Sequence, residues 1–241
     1  MVNREGKALV RELARKFATS QVTIRQDLEE LHSRGRLHRT YGGALPVRSS
    51  ALLDLSLREK ERLQHEKKQR IAIAAARLVL EGQSVVLDSG STTTAIARAL
   101  RDFRQLTIIT NAVNIAAELA GTSVQVILTG GLLRQKFFSL VGPLAEDTLS
   151  HLSADIFFQG VDGFDIHFGL TTTNLLEARV NRVMMRISRG TVVVCDSSKF
   201  GVRSLSLITG CSAVHQVITD SGISKADLSN LEEAGIETIA V

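Results

Sequence analysis

Short apolar runs alternate with amphipathic stretches along residues 69–241. Runs such as S-V-V-L, L-T-I-I-T and T-V-V-V-C are typical of strands that are buried on both faces. Stretches such as T-T-T-A-I-A-R-A-L and L-L-E-A-R-V-N-R-V-M-M-R-I lie between them and have helical spacing. Strands separated by helices indicate a largely parallel sheet with helices on both faces, so the pattern predicts an α/β domain.

Residues 1–46 have a helical period first and a basic, glycine-containing stretch afterwards. The runs A-L-V-R-E-L-A-R-K-F and Q-V-T-I-R-Q-D-L-E-E-L predict two short helices, with Ser20 as the N-cap of the second. The following stretch, R-G-R-L-H-R-T-Y-G-G-A-L, suits a short β-ribbon. The apolar side chains expected to pack together are Val10, Leu13, Ala14 and Phe17 on the first helix and Val22, Ile24, Leu28 and Leu31 on the second.

The segment after Pro46 changes from serine-containing to highly charged sequence. V-R-S-S-A-L-L-D-L-S-L-R-E-K-E-R predicts a linker that runs into a helix. We therefore expect a small domain over residues 1–46, a linker and helix over 47–68, and a larger domain over 69–241.

Charge is distributed unevenly along the chain, although the net charge is only +4. Residues 1–70 contain 16 Lys and Arg against 9 Asp and Glu, whereas residues 71–241 contain 13 against 16. A basic excess in the small domain would attract a polyanion such as nucleic acid. A solvated surface with no such partner has the same composition, so charge alone leaves both interpretations open.

Several classes of protein are disfavoured by the composition. No apolar run approaches the roughly 18 residues that span a bilayer, and the start of the chain lacks the apolar core of a signal peptide, so we expect a cytoplasmic protein with no membrane partner. Cys195 and Cys211 are too few for a disulfide framework and are expected to be reduced thiols. The six histidines are scattered, and we expect no metal site and no cofactor.

Two short helices joined by a tight turn form a helix-turn-helix, whose second helix enters the DNA major groove with its N-terminal residues on the base edges. Arginine can form paired hydrogen bonds with guanine and glutamine with adenine, while threonine can contact a thymine methyl or a phosphate. A helical hairpin with solvated charges is the alternative. The candidate DNA-binding residues are Ser20, Gln21, Thr23, Arg25 and Gln26 on the second helix and Arg36, His38, Arg39 and Tyr41 in the ribbon.

Polar motifs follow several predicted strands of the large domain, at the sheet edge where open parallel sheets bind ligands. In L-D-S-G-S-T-T-T a strand ends at Leu87 and hydroxyl residues begin a helix, which is a favourable seat for phosphate. A capped helix with no ligand is the alternative there, and surface ion pairs are the alternative for the charged residues. The candidate effector-binding residues are Asp88, Ser89, Gly90, Ser91, Thr92, Thr93, Thr110, Asn111, Thr129, Gly130, Gly131, Asp162, Glu177 and Lys199.

The N-terminal sequence resembles the winged helix-turn-helix of the DeoR family of bacterial sugar-catabolism repressors. The family pattern, a serine before T-I-R-x-D-L and then G-x-L-x-R-x-[HY]-G-G-A, is matched by T-S-Q-V-T-I-R-Q-D-L and G-R-L-H-R-T-Y-G-G-A. Family members have a further helix before this unit, of which M-V-N-R-E-G represents at most the last residues. We therefore expect part of the apolar face of the two helices to be uncovered.

The resemblance continues through L-D-S-G-S-T-T-T, T-G-G, G-V-D-G, E-A-R-V-N-R and D-S-S-K-F. It implies a sensor domain similar to the ribose-5-phosphate isomerase fold. By the same resemblance, Asp162 and Glu177 would contact sugar hydroxyls and Lys199 would neutralise an anionic group. The runs L-L-E-A-R-V-N-R and C-D-S-S-K-F most resemble the amino-sugar, N-acetylgalactosamine-type branch of the family.

Three hypotheses follow. The first, which we favour, is a DNA-binding repressor of a carbohydrate operon that binds operator DNA as a homo-oligomer and responds to a phosphorylated sugar. The second is an aldose–ketose isomerase acting on a sugar phosphate, because acid and base residues on this fold can perform that chemistry. A basic helix-turn-helix, which an isomerase does not need, argues against it. The third is a shortened paralogue that senses sugar phosphate but binds DNA poorly.

Overall fold

A computed structural model describes residues 8–34, 36–40, 42–45 and 55–241 of the chain. The N-terminal part contains helices α1 (Val10–Lys16) and α2 (Gln21–Ser33) and a three-stranded antiparallel sheet. The strands of this sheet are β1 (Ala8–Leu9), β2 (His38–Thr40) and β3 (Gly43–Leu45), in the order β1-β3-β2. The predicted winged helix-turn-helix architecture is confirmed.

The apolar core of this small unit contains fewer side chains than the sequence pattern predicted. Ile24 and Leu28 are buried, but Phe17 is 63% exposed, Val22 61% and Leu31 39%, so the prediction that these three pack inward was wrong. Phe17 is the C-cap residue of α1 and lies beyond its last regular turn. Val22 is two residues from Ile24, and at about 100° per residue the two point to opposite sides of the helix.

Two helices connect the small unit to the large sheet. These are α3 (Leu57–Arg62), which begins with a capping box between Ser56 and Glu59, and α4 (His65–Ala76). Gln64 between them has the left-handed backbone conformation, with φ of 53°. The sequence pattern placed the start of the large domain between residues 68 and 69. Both residues lie within helix α4, so this boundary falls inside a helix.

The large domain is built on a seven-stranded, wholly parallel sheet with the order β15-β14-β12-β9-β4-β5-β6. Its strands are β4 (Ser84–Leu87), β5 (Thr107–Thr110), β6 (Gln125–Leu128), β9 (Ala154–Gln159), β12 (Ser188–Val194), β14 (Gln216–Thr219) and β15 (Glu237–Ala240). Alternate residues of β4 face opposite sides, with Val85 in one buried cluster and Val86 in another. The predicted parallel sheet is confirmed.

Helices cover both faces of this sheet. One face packs against α4, α5 (Ser91–Ala99) and α6 (Val113–Leu119), and its core includes Ile71, Ile96 and Ile115. The other face packs against α7 (Pro143–Ser150), α8 (Leu175–Ile187) and α9 (Lys225–Glu233). In the part of the chain that is described, no helix is both long enough and apolar enough to cross a bilayer.

Two smaller antiparallel elements were not predicted. They are a hairpin of β7 (Leu132–Arg134) and β8 (Ser139–Val141), and a sheet of β10 (Gly163–Asp165), β11 (Gly169–Thr172) and β13 (Ser206–Thr209). Both lie beside the ends of parallel strands, and both contribute residues to the site described next.

Candidate functional site

The strand order changes direction between β4 and β9. From β4 the chain continues outward through β5 and β6, whereas β9 leads the other way through β12, β14 and β15. The carboxyl ends of strands diverge at such a switch point and leave a crevice between the loops. Asp88 follows β4 and Gly160 follows β9, and both line a cavity of about 130 Å³ at this point.

Eight predicted effector-binding residues line this cavity together. They come from the β4–α5 turn, the β9 loop, the start of α8 and the short 3-10 turn after β12. The eight are Asp88, Ser89, Gly90, Ser91, Thr92, Asp162, Glu177 and Lys199. The N-cap residue of α5 is Gly90, which offers no side chain to the first amides of the helix. This helix end can therefore receive an anion from the cavity.

Asp88 is buried at the centre of the crevice. Its Oδ2 accepts hydrogen bonds from Gln159 Nε2 at 2.8 Å and from the Gly160 amide at 3.0 Å. Its Oδ1 is buried and has no hydrogen-bond partner among the described residues. Burial, together with the negative charge of Glu177, raises the pKa of Asp88 to about 7. A group with an unused oxygen and a pKa near neutrality can accept or donate a hydrogen bond to a ligand hydroxyl.

Asp162 is held as a carboxylate by cations. Burial opposes its charge, but the ammonium groups of Lys60 and Lys199 outweigh burial and hold the pKa of Asp162 well below its usual range. Lys60 Nζ lies 2.5 Å from Asp162 Oδ1. The other oxygen, Oδ2, accepts hydrogen bonds from Thr172 Oγ1 at 3.1 Å and from the Thr173 amide at 3.2 Å.

Glu177 joins three separate elements at the cavity wall. Asn174 caps α8, and its side chain accepts from the Glu177 amide at 3.1 Å, which fixes the first turn of the helix. The Glu177 carboxylate accepts from Ser89 Oγ at 2.9 Å and from Arg134 Nη1 at 2.7 Å. Thr172 Oγ1 lies 3.2 Å from the same carboxylate, so Thr172 contacts both Glu177 and Asp162.

A third lysine, Lys68, lines the cavity. Lys68 is 6% exposed, and its Nζ donates to the carbonyl oxygens of Lys60 and Leu63. Burial lowers the pKa of Lys68 to about 8, against the opposing effect of the Asp196 carboxylate. For Asp196 burial is in turn outweighed by Lys199 and Lys68, so its pKa is lowered.

Six other predicted effector-binding residues are not part of the cavity wall. Thr93 and Thr110 donate to the carbonyls of Asp88 and Leu87, and Asn111 donates to Leu140, so these side chains hold the strand ends in place. Thr129, Gly130 and Gly131 form the turn after β6, where the Thr129 hydroxyl donates to the Gly130 carbonyl. A Cβ on Gly131 would lie 2.8 Å from the Val141 carbonyl oxygen, so a close backbone approach explains this glycine.

Several polar residues of the site were not predicted from the sequence, among them Lys60, Lys68, Arg134 and Gln159. Gln159 was identifiable in principle, because it is the polar residue at the end of the apolar run D-I-F-F-Q. The lysines occur in a stretch where almost every residue is charged, which gave no signal for one position over another. No group of three His, Cys, Asp or Glu side chains within the described ranges could hold a metal ion.

The second site is the start of α2. Ser20 Oγ accepts from the Thr23 amide at 3.0 Å and also lies 2.9 Å from Thr23 Oγ1, as expected for an N-cap. Gln21, Thr23, Arg25 and Gln26 are all exposed. Arg25 Nη2 donates to Gln21 Oε1 over 3.4 Å, so these two side chains lie together on the surface. The helix therefore presents a polar, outward face at the end that a helix-turn-helix inserts into the major groove.

The ribbon is described only in part. Arg36 is exposed, while Arg39 Nη1 lies 2.5 Å from Glu29 Oε2 on α2 and ties strand β2 to that helix. His38 belongs to β2, but its side chain and the whole of Tyr41 lie outside the described residues.

Residues 63–221 match the DeoR C terminal sensor domain family, and residues 1–50 match the DeoR-like helix-turn-helix domain family. A protein of Escherichia coli O157:H7, named for transcriptional repression of the aga operon, is 38% identical over 100% of this chain and 90% of its own length. The glycerol-3-phosphate regulon repressor of Escherichia coli K12 is 32% identical over 92% of this chain and 87% of its own.

One further relative and one solved structure are also similar to this chain. The L-fucose operon activator of Haemophilus influenzae is 32% identical over 99% of this chain and 95% of its own. Among solved structures, ribose 5-phosphate isomerase A of Methanocaldococcus jannaschii is 18% identical, with a TM-score of 0.43 over 56% of this chain and 54% of that one. With both of its parts matched by the corresponding family domains, this chain belongs to the DeoR family of transcriptional regulators and is a DNA-binding regulator, not an enzyme.

Proposed function

We propose that this regulator represses a carbohydrate-catabolism operon in the cytoplasm and that a phosphorylated sugar, bound in the switch-point cavity, changes its affinity for operator DNA. One observation carries the proposal: a helix N-terminus and Lys199 line the same cavity as the carboxyl groups of Asp88, Asp162 and Glu177. The helix N-terminus and Lys199 suit a phosphate, and the carboxyl groups suit sugar hydroxyls.

The names of the relatives support the class of ligand. One is named for the aga operon, one for the glycerol-3-phosphate regulon and one for the L-fucose operon. Two of these names contain a polyol phosphate or a sugar, glycerol 3-phosphate in one and L-fucose in the other. The resemblance of L-L-E-A-R-V-N-R and C-D-S-S-K-F to the amino-sugar branch makes hexosamine phosphates the first compounds to test.

Operator recognition in this proposal uses Gln21, Thr23, Arg25 and Gln26 on α2. A single helix-turn-helix reads one half-site, and dimers place two recognition helices about one helical turn of DNA apart. We therefore propose that the chain acts as a homo-oligomer whose DNA-binding units have two relative arrangements. The sugar phosphate would favour one of these arrangements over the other.

The sensor proposal is tested by thermal unfolding with a panel of hexosamine and hexose 6-phosphates and glycerol 3-phosphate. A ligand at about a hundred times its dissociation constant should stabilise the chain by about 2.7 kcal/mol. Ser91→Asp places a negative charge at the proposed phosphate site and should remove the shift in unfolding temperature. Ser91→Asn introduces a side chain of the same size as aspartate but without the charge, and should keep most of the shift. A panel that leaves the unfolding temperature unchanged contradicts the sensor proposal.

DNA binding is tested with a duplex selected from a random pool by the full-length chain. Arg25→Ala should weaken binding to this duplex by about 1–3 kcal/mol, or roughly 5-fold to 150-fold, and leave the sensor domain folded. Arg34→Ala removes an equal charge from the other end of α2, where Arg34 pairs with Glu30, and serves as the control. If the unmodified chain shows no salt-sensitive DNA binding, the repressor proposal fails.

A further inference from the structure

Helix α3 connects the DNA-binding unit to the sensor domain, and its side chains form one wall of the cavity. Lys60 reaches from this helix to Asp162 Oδ1 at 2.5 Å, and its Nζ also lies 5.3 Å from the centre of the Phe137 ring. The first backbone amide of α3, that of Leu57, donates to the Lys136 carbonyl at 3.1 Å. The sensor domain therefore holds α3 through both a charge pair and a backbone hydrogen bond.

The far end of α3 is fixed by Lys68 of the next helix. The buried Lys68 ammonium donates to the Lys60 and Leu63 carbonyls at 2.5 and 2.7 Å. These carbonyls belong to the last turn of α3, where a helix has unsatisfied acceptors and a negative dipole end. Lys68 therefore connects the backbone of Lys60 to the α3–α4 junction.

That junction contacts the recognition helix. Gln64, which has a left-handed backbone, donates its amide to the carbonyl of Ser33 at 3.2 Å. Ser33 is the last residue of α2. A continuous set of contacts thus runs from Asp162 in the cavity, through Lys60 and Lys68, to the end of the helix that reads DNA.

Asp162 is the point at which a ligand would enter this set. Its Oδ2 already accepts two hydrogen bonds, from Thr172 and Thr173, which leaves Oδ1, the oxygen that Lys60 contacts, as the acceptor for a sugar hydroxyl. A hydroxyl that replaces Lys60 at Oδ1 keeps this oxygen hydrogen-bonded, and Lys199 remains as a cation that stabilises the carboxylate. A ligand that binds the second arrangement better than the first shifts the equilibrium between them.

We propose that the contact of Lys60 with Asp162 acts as a latch on α3, and that the effector competes with Lys60 for Asp162. While Lys60 pairs with Asp162, α3 is held against the sensor domain. A sugar hydroxyl that binds Asp162 in place of Lys60 releases α3 and shifts the end of α2. The identity of the ligand in this mechanism rests on the proposed function, whereas the contact between α3 and Asp162 as a determinant of DNA affinity does not.

The latch is tested first without any sugar, by a double-mutant cycle on the full-length chain. Lys60→Gln and Asp162→Asn should change the dissociation constant for the selected duplex by the same factor, and the double variant should change it no further. Lys60→Arg should restore the behaviour of the unmodified chain. Arg58→Gln removes a cation from the exposed side of the same helix and should have no effect. Hydrogen exchange of the α3 amides gives a second readout, and should become faster in Lys60→Gln but not in Arg58→Gln.

The panel of sugar 6-phosphates and glycerol 3-phosphate then tests the competition. Allosteric coupling of about 5-fold to 150-fold between sugar and DNA in the unmodified chain should fall towards none in Lys60→Gln. The same variant should bind the sugar phosphate at least as tightly as the unmodified chain, because the competing ammonium is gone. A large loss of sugar affinity in Lys60→Gln would overturn the latch and make Lys60 a ligand of the phosphate.

The latch would also be overturned if Lys60→Gln and Asp162→Asn had additive effects on DNA affinity. It would likewise be overturned if Arg58→Gln changed DNA affinity as much as Lys60→Gln does. Non-additive effects on DNA binding or α3 exchange, combined with a panel that produces no thermal shift, would support the latch and refute the sugar phosphate as its ligand. The two proposals can therefore fail separately.

Discussion

Arg134 and Glu177 form an ion pair at 2.7 Å that ties the β7–β8 hairpin to the first turn of α8. Both side chains are largely buried, with 15% and 10% of their surfaces exposed. The guanidinium also lies 4.3 Å from the ring of Phe137 at the tip of the hairpin. The pair keeps a buried carboxylate neutralised at the cavity wall while the hairpin covers one side of it.

Arg134→Met should therefore lower the free energy of unfolding by about 3 kcal/mol, because it leaves the Glu177 carboxylate buried without its cation. Methionine retains most of the packing on Phe137, so the loss reports mainly on the charge. Arg179→Met is the matched control, since Arg179 is 58% exposed in its pair with Glu146 and should cost less than about 1 kcal/mol. Urea unfolding of the two variants checks the difference, and equal losses would contradict it.

Asp88 should make the stability of the fold depend on pH. Its pKa is raised from 3.8 in the unfolded chain to about 7 in the folded chain, so between these values the folded state binds the additional proton. The free energy of unfolding should fall through this window as pH rises, by up to about 1.4 kcal/mol per pH unit, and this contribution should level off above it.

Asp88→Asn removes this effect while keeping an oxygen that can accept from Gln159 and Gly160. The variant should be more stable than the unmodified chain at pH 8, and the difference should shrink as pH falls towards 4. Urea unfolding across this pH range measures it. A difference that stays constant with pH would show that the Asp88 carboxyl does not titrate there.

The hydrophobic pattern predicted the parallel sheet because its strands are buried on both faces and read as unbroken apolar runs. The same signal was absent for the β7–β8 hairpin, whose Leu132 and Leu133 are exposed and whose strands are only three residues long. Strands of three residues are too short to show the alternation or the continuous apolar run by which a strand is recognised.

The site was predictable where a single loop carries several polar residues, as in the run from Asp88 to Thr92. The contacts between distant residues were not predictable, even where one partner, such as Asp162, was among the candidates. Lys60 and Asp162 are 102 residues apart in sequence, and they meet only because α3 packs over the switch point. A lysine on a highly charged helix gives no local sign of such a partner.

The two glycines after β6 should differ in what they tolerate. Gly131 has φ of 118° and a carbonyl oxygen 2.8 Å from the position of a Cβ, whereas Gly130 has φ of 70° and nothing within 4 Å. Gly130→Ala should cost about 1–2 kcal/mol from its left-handed backbone alone. Gly131→Ala should cost more, because backbone atoms of β8 must also move. Chemical unfolding distinguishes them, and a smaller loss for Gly131→Ala would count against the close approach.

Ser20 has two separable roles, as the N-cap of α2 and as a candidate DNA contact. Ser20→Ala removes the acceptor for the Thr23 amide and should lower the stability of the small domain by about 1 kcal/mol. Ser20→Asp keeps an acceptor and complements the helix dipole, so it should retain the stability. It should nevertheless weaken binding to the selected duplex, because a carboxylate then faces the phosphate backbone. Fluorescence anisotropy and urea unfolding of both variants give the two readouts. Undiminished DNA binding by Ser20→Asp would place this end of α2 away from the phosphates.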